Sequence, residues 1–280
     1  MKTMESNAVY PVLLKRFSGE QWEPAEDRLA VEEPLAIQLS YVKDGEATEK
    51  TIAITMRTPG QDAELALGFL FTESIISDYN QVAAVEPGPQ TVLVTLHENE
   101  EPQLHHSERN FYTSSSCGVC GKTSIAAIRS IPTFPENAVQ LQIRTELFFN
   151  LEEELKKQQA LFVKTGGLHA SALFDLKGKL LMFREDVGRH NALDKLIGAS
   201  LVEGNLPLSS AILLLSGRAS FELLQKAAMA GIRIVAAVGA PSSMAVQVAK
   251  EAGISLVGFL KNKRFNVYSG EERLVVNRES

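Results

Sequence analysis

Long apolar runs and an excess of positive charge are both missing from this 280-residue chain. No uncharged apolar run approaches the roughly 18 residues of a membrane-spanning helix, and the first six residues begin no stretch typical of a signal peptide. We therefore expect a cytoplasmic protein without a membrane partner. Because the formal net charge is −6, no basic excess exists to displace phosphate counterions, and we expect no general affinity for nucleic acid.

Cysteine is also scarce, since the chain has only two, Cys117 and Cys120. They form one Cys-x-x-Cys segment among small residues, and Gly118 and Gly121 allow backbone angles that other residues resist. No further thiol is present to build a disulfide framework or to complete a metal site. The segment is compatible with thiol or sulfur chemistry, with half of a metal site, or with no function.

Several familiar binding signatures are absent. Gly118–Thr123 contains Gly-Lys-Thr, but Ser116 stands where a phosphate-binding P-loop needs its first glycine. No Gly-x-Gly-x-x-Gly occurs, and no βαβ unit frames the cysteines as in a thioredoxin-type redox pair. A structural zinc would need two more ligands, and no histidine lies at zinc-finger spacing from the cysteines. We therefore expect no metal site; the histidines considered are His105, His106, His169 and His190.

The first half of the chain is rich in strand-like runs. Two prolines within Ile131–Asn137 predict a linker, because they resist regular structure. We therefore expect a smaller strand-rich α+β domain over residues 1–135, ending in the cysteine segment, and a second domain over residues 136–280. The predicted elements of the first are the strands Tyr10–Phe17, Leu35–Val42, Thr51–Met56 and Val92–Leu96 and the helix Ala63–Ile76.

The second half alternates between strands and helices, which predicts an α/β domain with helices on both faces of the sheet and parallel strands near the C-terminus. Ligands of such sheets bind at the C-terminal ends of the strands. The predicted helices are Thr145–Gln159, His190–Val202, Ser220–Ala230 and Ser242–Ala252. The predicted strands are Ala172–Phe174, Leu180–Phe183, Ile212–Leu215, Ile234–Val238 and Ser255–Phe259.

Two of the predicted strand ends run into glycine- and serine-rich helix starts. Ser216, Gly217 and Arg218 follow one strand, and Gly239–Ser243 follows the next. Free backbone N–H groups at a helix N-terminus favour an anion such as phosphate, and an arginine adds a bidentate donor. Each segment alone is more typical of a plain helix cap, and two on one sheet edge make a ligand site and plain caps about equally compatible with the sequence.

Histidines occur in two further segments. Gly166, Gly167 and His169 precede a predicted strand, and Arg189 and His190 lie in the polar block that follows the next one. That block also contains Arg184, Glu185, Asp186 and Asn191. Its density of polar side chains favours a functional site over a solvated turn with a capping residue.

A basic turn follows the last predicted strand. It places three cations and one amide between Phe259 and Phe265. Lysine and arginine suit phosphate, and a phenylalanine ring can stack on a nucleobase. A basic surface turn without function is the alternative.

Four segments together closely resemble the FdhD family, the formate dehydrogenase accessory sulfurtransferases. They are Ser116–Gly121, Thr165–His169, Arg184–Lys195 and Ser216–Arg218. The likeness runs in unbroken order from about Pro34 to Phe265, and the Arg-Glu-Asp-x-Gly-Arg-His-Asn-Ala-x-Asp-Lys pattern of the third segment is specific.

The resemblance implies a fold, a cytidine-deaminase-like α/β domain beside a smaller N-terminal domain, usually as a homodimer. It implies that a cysteine desulfurase loads sulfane sulfur onto the cysteine segment, with Cys117 as carrier and Cys120 assisting. The sulfur would pass to a molybdenum bis(molybdopterin guanine dinucleotide) client ligand before that cofactor enters formate dehydrogenase. No permanent cofactor is implied. The family's cofactor-binding stretch falls on Phe259, Leu260, Lys261, Asn262, Lys263 and Arg264.

Two other functions remain compatible with these residues. A chaperone that binds and delivers the cofactor without transferring sulfur would need the same binding loops. A zinc-dependent deaminase is disfavoured, because such enzymes place His-x-Glu before Pro-Cys-x-x-Cys. Here Ser171 follows His169 at the glutamate position, and both cysteines precede the histidine.

Overall fold

The computed structural model describes residues 5–104 and 141–276, with the side chains of residues 5 and 6 left out. The predictions for Cys117 and Cys120, for the linker at 131–137 and for the domain boundary near residue 135 lie outside the described residues.

The chain begins with a short helix and a long two-stranded ribbon. Helix α1 (Glu5–Ala8) leads into β1 (Val9–Ser18), which pairs antiparallel with β2 (Gln21–Ala30). The first strand confirms the prediction for Tyr10–Phe17. The second was not predicted, because its Pro24 and four charged residues oppose a strand assignment.

A four-stranded sheet with the order β4-β3-β6-β5 follows the ribbon. Strands β3 and β6 are parallel, and the two outer pairs are antiparallel. Three strands and the helix were predicted, whereas β5 was missed. The elements are β3 (Glu33–Lys43), β4 (Glu46–Arg57), α2 (Asp62–Thr72), β5 (Val82–Pro87) and β6 (Thr91–Leu96).

The second half forms a six-stranded sheet with the order β13-β12-β11-β10-β8-β9, in which β10, β11 and β12 are parallel. Its strands are β8 (His169–Asp175), β9 (Leu180–Asp186), β10 (Ala211–Leu215), β11 (Ile234–Ala237), β12 (Ser255–Lys261) and β13 (Arg264–Ser269). Its helices are α3 (Phe148–Gln158), α4 (Ala160–Thr165), α5 (Arg189–Val202), α6 (Phe221–Met229) and α7 (Ser243–Glu251). A small parallel pair joins β7 (Ile143–Arg144) to β14 (Leu274–Val275).

Both faces of the six-stranded sheet are buried, as predicted. Alternate residues of β10 face opposite sides, so Leu213 belongs to one hydrophobic cluster and Leu214 to the other. The larger cluster also contains residues of α2, α5, α6, α7 and the four-stranded sheet, whereas α3 covers the opposite face. The observed fold is therefore a mixed α/β arrangement with several sheets.

Helices α2 and α5 cross at a point where both present glycine. A Cβ atom on Gly68 would meet the backbone oxygen of Asp194, and one on Gly198 would meet the backbone oxygen of Glu64. The absence of side chains at the crossing lets the two backbones touch and fixes the middle of α5 against α2. Among the described residues, no helix is long and apolar enough to cross a membrane.

Candidate functional site

The predicted binding segments lie along one edge of the six-stranded sheet. Strands β10, β11 and β12 end there because they are parallel. Strand β8 runs antiparallel to β10, so it begins at this edge, and β9 ends beside it with Asp186 opposite His169. The sequence therefore placed these segments at the correct ends of the strands.

Backbone hydrogen bonds join the loops of this edge. Gly239 donates to the Gly217 oxygen at 2.9 Å, and Phe259 donates to the Gly239 oxygen at 3.1 Å. Ser242 donates to the Ala219 oxygen at 3.0 Å. The segments after β10, β11 and within β12 are thus held side by side as one rim.

Two glycines of the rim allow side chains to lie directly on the backbone. A Cβ atom on Gly217 would lie 3.2 Å from His169 Nδ1, and one on Gly239 would lie 3.0 Å from Arg218 Cγ. Both distances are shorter than ordinary van der Waals contact, so a larger residue at either position would displace its neighbour. His169 and Arg218 consequently lie close above the rim.

His169 is held between the strand and the loop that follows β10. The Ala170 backbone donates to Ser216 Oγ at 2.8 Å, and the Ser216 backbone donates to the Ala170 oxygen at 3.0 Å. Burial lowers the pKa of His169, and the positive charges of Arg189 and His190 lower it further, against a weaker opposing effect of Asp186. The imidazole is therefore neutral at pH 7.

A second histidine forms a buried polar group with the start of α6. His190 Nε2 lies 3.4 Å from Ser220 Oγ and 3.8 Å from Glu222 Oε2. Burial alone would raise the pKa of Glu222, but hydrogen bonds from His190, its own backbone and Ser220 outweigh this effect and lower the pKa to about 2. Glu222 is therefore a carboxylate at neutral pH.

One ring nitrogen of His190 makes no hydrogen bond to the described residues. His190 is buried, and its Nδ1 has no hydrogen-bond partner among the described residues. Ser220 occupies the N-cap position of α6 without accepting a hydrogen bond from the helix backbone. The start of α6 thus lies beside an imidazole nitrogen without a hydrogen-bond partner, while the Glu222 backbone N–H bonds the Glu222 carboxylate. Neither Ser220 nor Glu222 was predicted as a site residue. Their position at the start of the helix that follows Arg218 was the sequence feature that could have indicated them.

Much of the polar block 184–195 has a structural role. Asp186 Oδ2 accepts a hydrogen bond from Lys195 Nζ at 2.7 Å and one from the Thr58 backbone at 3.1 Å, and Lys195 also donates to the Thr58 oxygen at 2.9 Å. Burial raises the pKa of Asp186, and the charge of Lys195 opposes that shift. Asn191 donates to the oxygen of Met56 at 2.8 Å. These side chains tie the start of α5 to the end of β4.

The other charged residues of the block are paired as well, and of these pairs Arg184–Glu64 joins the two halves of the chain. Arg184 binds Glu64 of α2 with two hydrogen bonds of 2.6 and 2.9 Å. Glu185 accepts from the Phe162 backbone at 3.2 Å. Asp194 pairs with Lys226 of α6 at 2.9 Å. Most charged side chains of residues 184–195 are therefore used in structural contacts, several of which join the two halves of the chain. Arg189 and His190 are the members of this block that lie at the rim.

The basic turn is the end of a β-hairpin between β12 and β13, and β13 was not predicted. Phe259, Asn262 and Lys263 all have positive φ angles, of 54°, 54° and 56°. The register shifts between Gly258 and Lys261, which is a β-bulge that turns Phe259 outward, with 49% of its surface exposed.

The six residues of the predicted cofactor stretch differ in access. Lys261, Asn262, Lys263 and Arg264 are exposed like Phe259, whereas the side chain of Leu260 is buried in the cluster under α3.

The two glycines before β8 lie near the ribbon rather than at the centre of the rim. Gly166 ends α4 with a φ of 66° and donates to the Phe162 oxygen. Gly167 approaches Ala30 at the base of the ribbon, and a Cβ atom on this glycine would lie 3.6 Å from the alanine Cβ.

Within residues 5–104 and 141–276, no three histidine, cysteine, aspartate or glutamate side chains form a group that could hold a metal ion.

The protein is thus of the mixed α/β class, and its fold brings glycine, histidine and arginine residues together at one edge of the six-stranded sheet. The family model described as FdhD/NarQ family matches residues 30–275. The chain belongs to this family.

Curated relatives cover nearly the whole chain. A protein named "Sulfur carrier protein FdhD" from Streptomyces avermitilis is 45% identical over 272 residues, which cover 89% of this chain and 90% of the relative. One of the same name from Saccharolobus solfataricus is 39% identical over 249 residues, with 89% and 91% covered.

A solved structure shares the fold. The crystal structure of a protein assigned as a formate dehydrogenase accessory protein from Desulfotalea psychrophila is similar with a TM-score of 0.71. The match covers 96% of this chain and 100% of that one, at 22% sequence identity. At this identity the likeness concerns the fold.

Proposed function

We propose that this protein is a sulfur carrier that acts in the maturation of formate dehydrogenase. The observation that carries the proposal is family membership over residues 30–275, together with relatives named as sulfur carriers at 39–47% identity. In this proposal a cysteine desulfurase loads sulfur onto Cys117 as a persulfide. The protein then passes the sulfur to a molybdenum bis(molybdopterin guanine dinucleotide) substrate before that cofactor enters formate dehydrogenase.

The chemistry of release follows from two neighbouring thiols. The Cys120 thiol attacks the Cys117 sulfur of the persulfide anion, the sulfur–sulfur bond of the persulfide breaks, and hydrosulfide leaves with the proton of Cys120. A Cys117–Cys120 disulfide remains, and a cellular thiol reductant returns it to the dithiol state. Direct attack of the acceptor on the terminal sulfur is the alternative, and it needs no second cysteine.

The rim of the six-stranded sheet is the proposed binding site for the guanine dinucleotide end of the substrate. The start of α7 and the guanidinium of Arg218 favour phosphate, because each presents N–H donors to an anion. The start of α6 already holds the carboxylate of Glu222. The exposed ring of Phe259 supplies a surface on which a purine can stack. The hairpin β8–β9 followed by the parallel strands β10–β12 supports the cytidine-deaminase-like arrangement, which is part of this proposal.

Sulfur loading is expected to depend on Cys117. After incubation with a cysteine desulfurase and cysteine, intact-mass analysis should show an adduct of about 32 Da, one sulfur atom, on the wild-type protein and on Cys120→Ala. Cys117→Ala should show none, because the thiolate that accepts the sulfur is missing. An adduct that persists in Cys117→Ala and disappears in Cys120→Ala would assign the carrier to Cys120. Cofactor binding without any adduct would favour the chaperone.

Nucleotide binding is expected to depend on Phe259 and Arg218. Calorimetry should detect GDP and little affinity for AMP, and Phe259→Ala should weaken GDP binding about tenfold, since stacking of a base on an aromatic ring contributes ~1–3 kcal/mol. Arg218→Ala should weaken it to a similar extent. Lys250→Ala is the matched control, because this exposed cation lies at the end of α7 away from the rim. Equal GDP affinity in all three variants would remove the rim as the site.

A further inference from the structure

The start of α5 is a positively charged part of the rim to which the proposed function assigns no ligand. Gly188 occupies the N-cap position of this 14-residue helix and has no side chain to cap it. The first backbone hydrogen bond runs from Ala192 to the Gly188 oxygen at 3.0 Å. Among the described residues, the N–H groups of residues 189–191 therefore have no backbone partner, and the helix dipole adds positive charge at this end.

Arg189 adds a full positive charge to the same turn. Its side chain is half-buried, and within the described part of the chain it forms no hydrogen bond or ion pair. Burial lowers the pKa of His169, and the charge of Arg189 is the next largest cause of that shift. His169 itself lies over Gly217. Arg189 is therefore close to the loop that follows β10.

The ring of His190 belongs to this turn as well. The residue is only 4% exposed, and its Nδ1 has no hydrogen-bond partner among the described residues. Nδ1 is the ring nitrogen next to Cβ, so it lies nearer to the helix start than Nε2, which faces Ser220 and Glu222. A doubly protonated ring donates from Nε2 to the carboxylate and from Nδ1 to an anion. A ligand at this turn would satisfy a buried nitrogen that is costly to leave unpaired.

The two carboxylates nearest to this turn are already engaged within the protein. Asp186 Oδ1 accepts a hydrogen bond from the Gly188 backbone at 2.8 Å, and its Oδ2 binds Lys195, which balances its charge. Glu222 is held by the neighbouring imidazole and by its own backbone. The positive charge of Arg189 is therefore not cancelled, and the turn favours an anion.

The rim presents its groups in the order of the parts of a nucleotide. Neighbouring strands of a sheet are about 5 Å apart, so β12 and β8 are about 15 Å apart. Phe259 lies on β12, and Arg218 lies over Gly239 after the next strand. His169 and then Arg189 follow toward β9. A stacking ring, a first cation and a second cation thus succeed one another, as do a base, a first phosphate and a second phosphate.

We propose that the start of α5 binds the second phosphate of the guanine nucleotide, with the Arg189 guanidinium, the N–H groups of residues 189–191 and His190 Nδ1 as donors. The base lies on Phe259, and the first phosphate lies at Arg218 and the start of α7. This assignment rests on the nucleotide site of the proposed function and gives the substrate a direction. Its guanine lies at β12, and the pterin half, which is joined through the second phosphate, continues toward β9.

The basic turn after β12 is the other source of positive charge near Phe259. Its three cations are exposed, so salt screens them, and the turn offers no helix start to an anion. The start of α5 combines a half-buried arginine with free backbone donors, which favours it over the turn as the second-phosphate site. The cations of the turn are Lys261, Lys263 and Arg264.

GDP and GMP, which differ by the second phosphate alone, provide the test. Calorimetry should show that the wild-type protein binds GDP about tenfold more tightly than GMP, the effect of one charge-assisted contact. Arg189→Ala should abolish this preference and leave the GMP affinity unchanged, because the arginine contacts only the second phosphate. Arg218→Ala should weaken both nucleotides and keep their ratio. Arg16→Ala removes an exposed arginine near the tip of the β1–β2 ribbon and should change neither affinity.

Three results would overturn the proposal, and each points to a different error. An unchanged GDP-to-GMP ratio in folded Arg189→Ala, with GDP binding still dependent on Phe259 and Arg218, would remove the second-phosphate site and leave the nucleotide site in place. Loss of the ratio in Lys263→Ala instead would assign the second phosphate to the basic turn. No binding of either nucleotide to the wild-type protein would remove the nucleotide site itself. A crystal structure with GDP should show the second phosphate within hydrogen-bond distance of Arg189.

Discussion

Cys117→Ala is expected to leave formate dehydrogenase inactive in cells that lack the wild-type gene. In the deletion strain the client enzyme should accumulate with its metal and pterin but without formate oxidation, because the sulfur is missing. The wild-type gene should restore activity, and Cys117→Ala should stay at the level of the deletion strain. The physical reason is that the thiolate is the sulfur-accepting nucleophile, and alanine has no group to take its place.

Two controls make this result specific. Immunoblotting should show equal amounts of wild-type and Cys117→Ala protein, so that loss of activity is not loss of the carrier. Cys120→Ala separates the two release routes, since slower restoration supports attack by the second thiol and full restoration supports direct transfer. Normal formate oxidation in the deletion strain, with no second copy of the gene, would end the sulfur-carrier proposal.

Asp186→Ala is expected to destabilise the folded protein by about 3–5 kcal/mol, the range for removing one partner of a buried ion pair. The substitution leaves the Lys195 ammonium buried beside the Thr58 oxygen without its carboxylate, and it removes the acceptor of the Thr58 backbone N–H. Urea unfolding followed by circular dichroism measures the change as a lower midpoint. The effect should be among the largest of any single substitution, because it combines a lost ion pair with lost hydrogen bonds.

The matched comparison is the exposed pair Arg144–Glu146, with 3.7 Å between nitrogen and oxygen. Arg144→Ala should change the unfolding free energy by less than about 1 kcal/mol, because surface ion pairs contribute little. The double variant Asp186→Leu with Lys195→Met should be more stable than Asp186→Ala, since no buried charge is left unpaired. A midpoint for Asp186→Ala equal to that of Arg144→Ala would show that the Asp186–Lys195 pair does not hold the two halves together.

The sequence predicted the elements whose apolar pattern is regular. Strand β10 and helix α6 were found because both are flanked by glycine or serine and bury a continuous apolar face. Strand β2 was not predicted, because its charged residues and Pro24 contribute nothing to a core. Only its backbone pairing with β1 makes this segment a strand. Strand β13 was not predicted, because the polar turn before it was not interpreted as the turn of a β-hairpin.

The candidate site was predicted in part for a similar reason. Strand direction alone placed Arg218 and Gly239–Ser243 at one edge, since parallel strands end together. His169 reaches the same edge because β8 is antiparallel to β10, which the sequence did not show. The polar block at 184–195 was interpreted as a site because charged residues are costly to bury without partners. Those partners, Glu64 and Thr58, lie more than a hundred residues away in the chain. Contacts between residues so far apart leave no pattern in the local sequence. The structural role of residues 184–195 could therefore be recognised only from the fold.

The backbone of Phe259 adopts a conformation that is energetically unfavourable for a bulky residue. A positive φ in a bulky residue is unfavourable by about 1–3 kcal/mol, and glycine would adopt it freely. If stability alone shaped this bulge, glycine would be the better residue. The chain instead has an aromatic residue with a strained backbone at the exposed rim. A variant selected only for heat resistance would therefore be drawn to glycine at this position, and it would lose the ring as it gained stability.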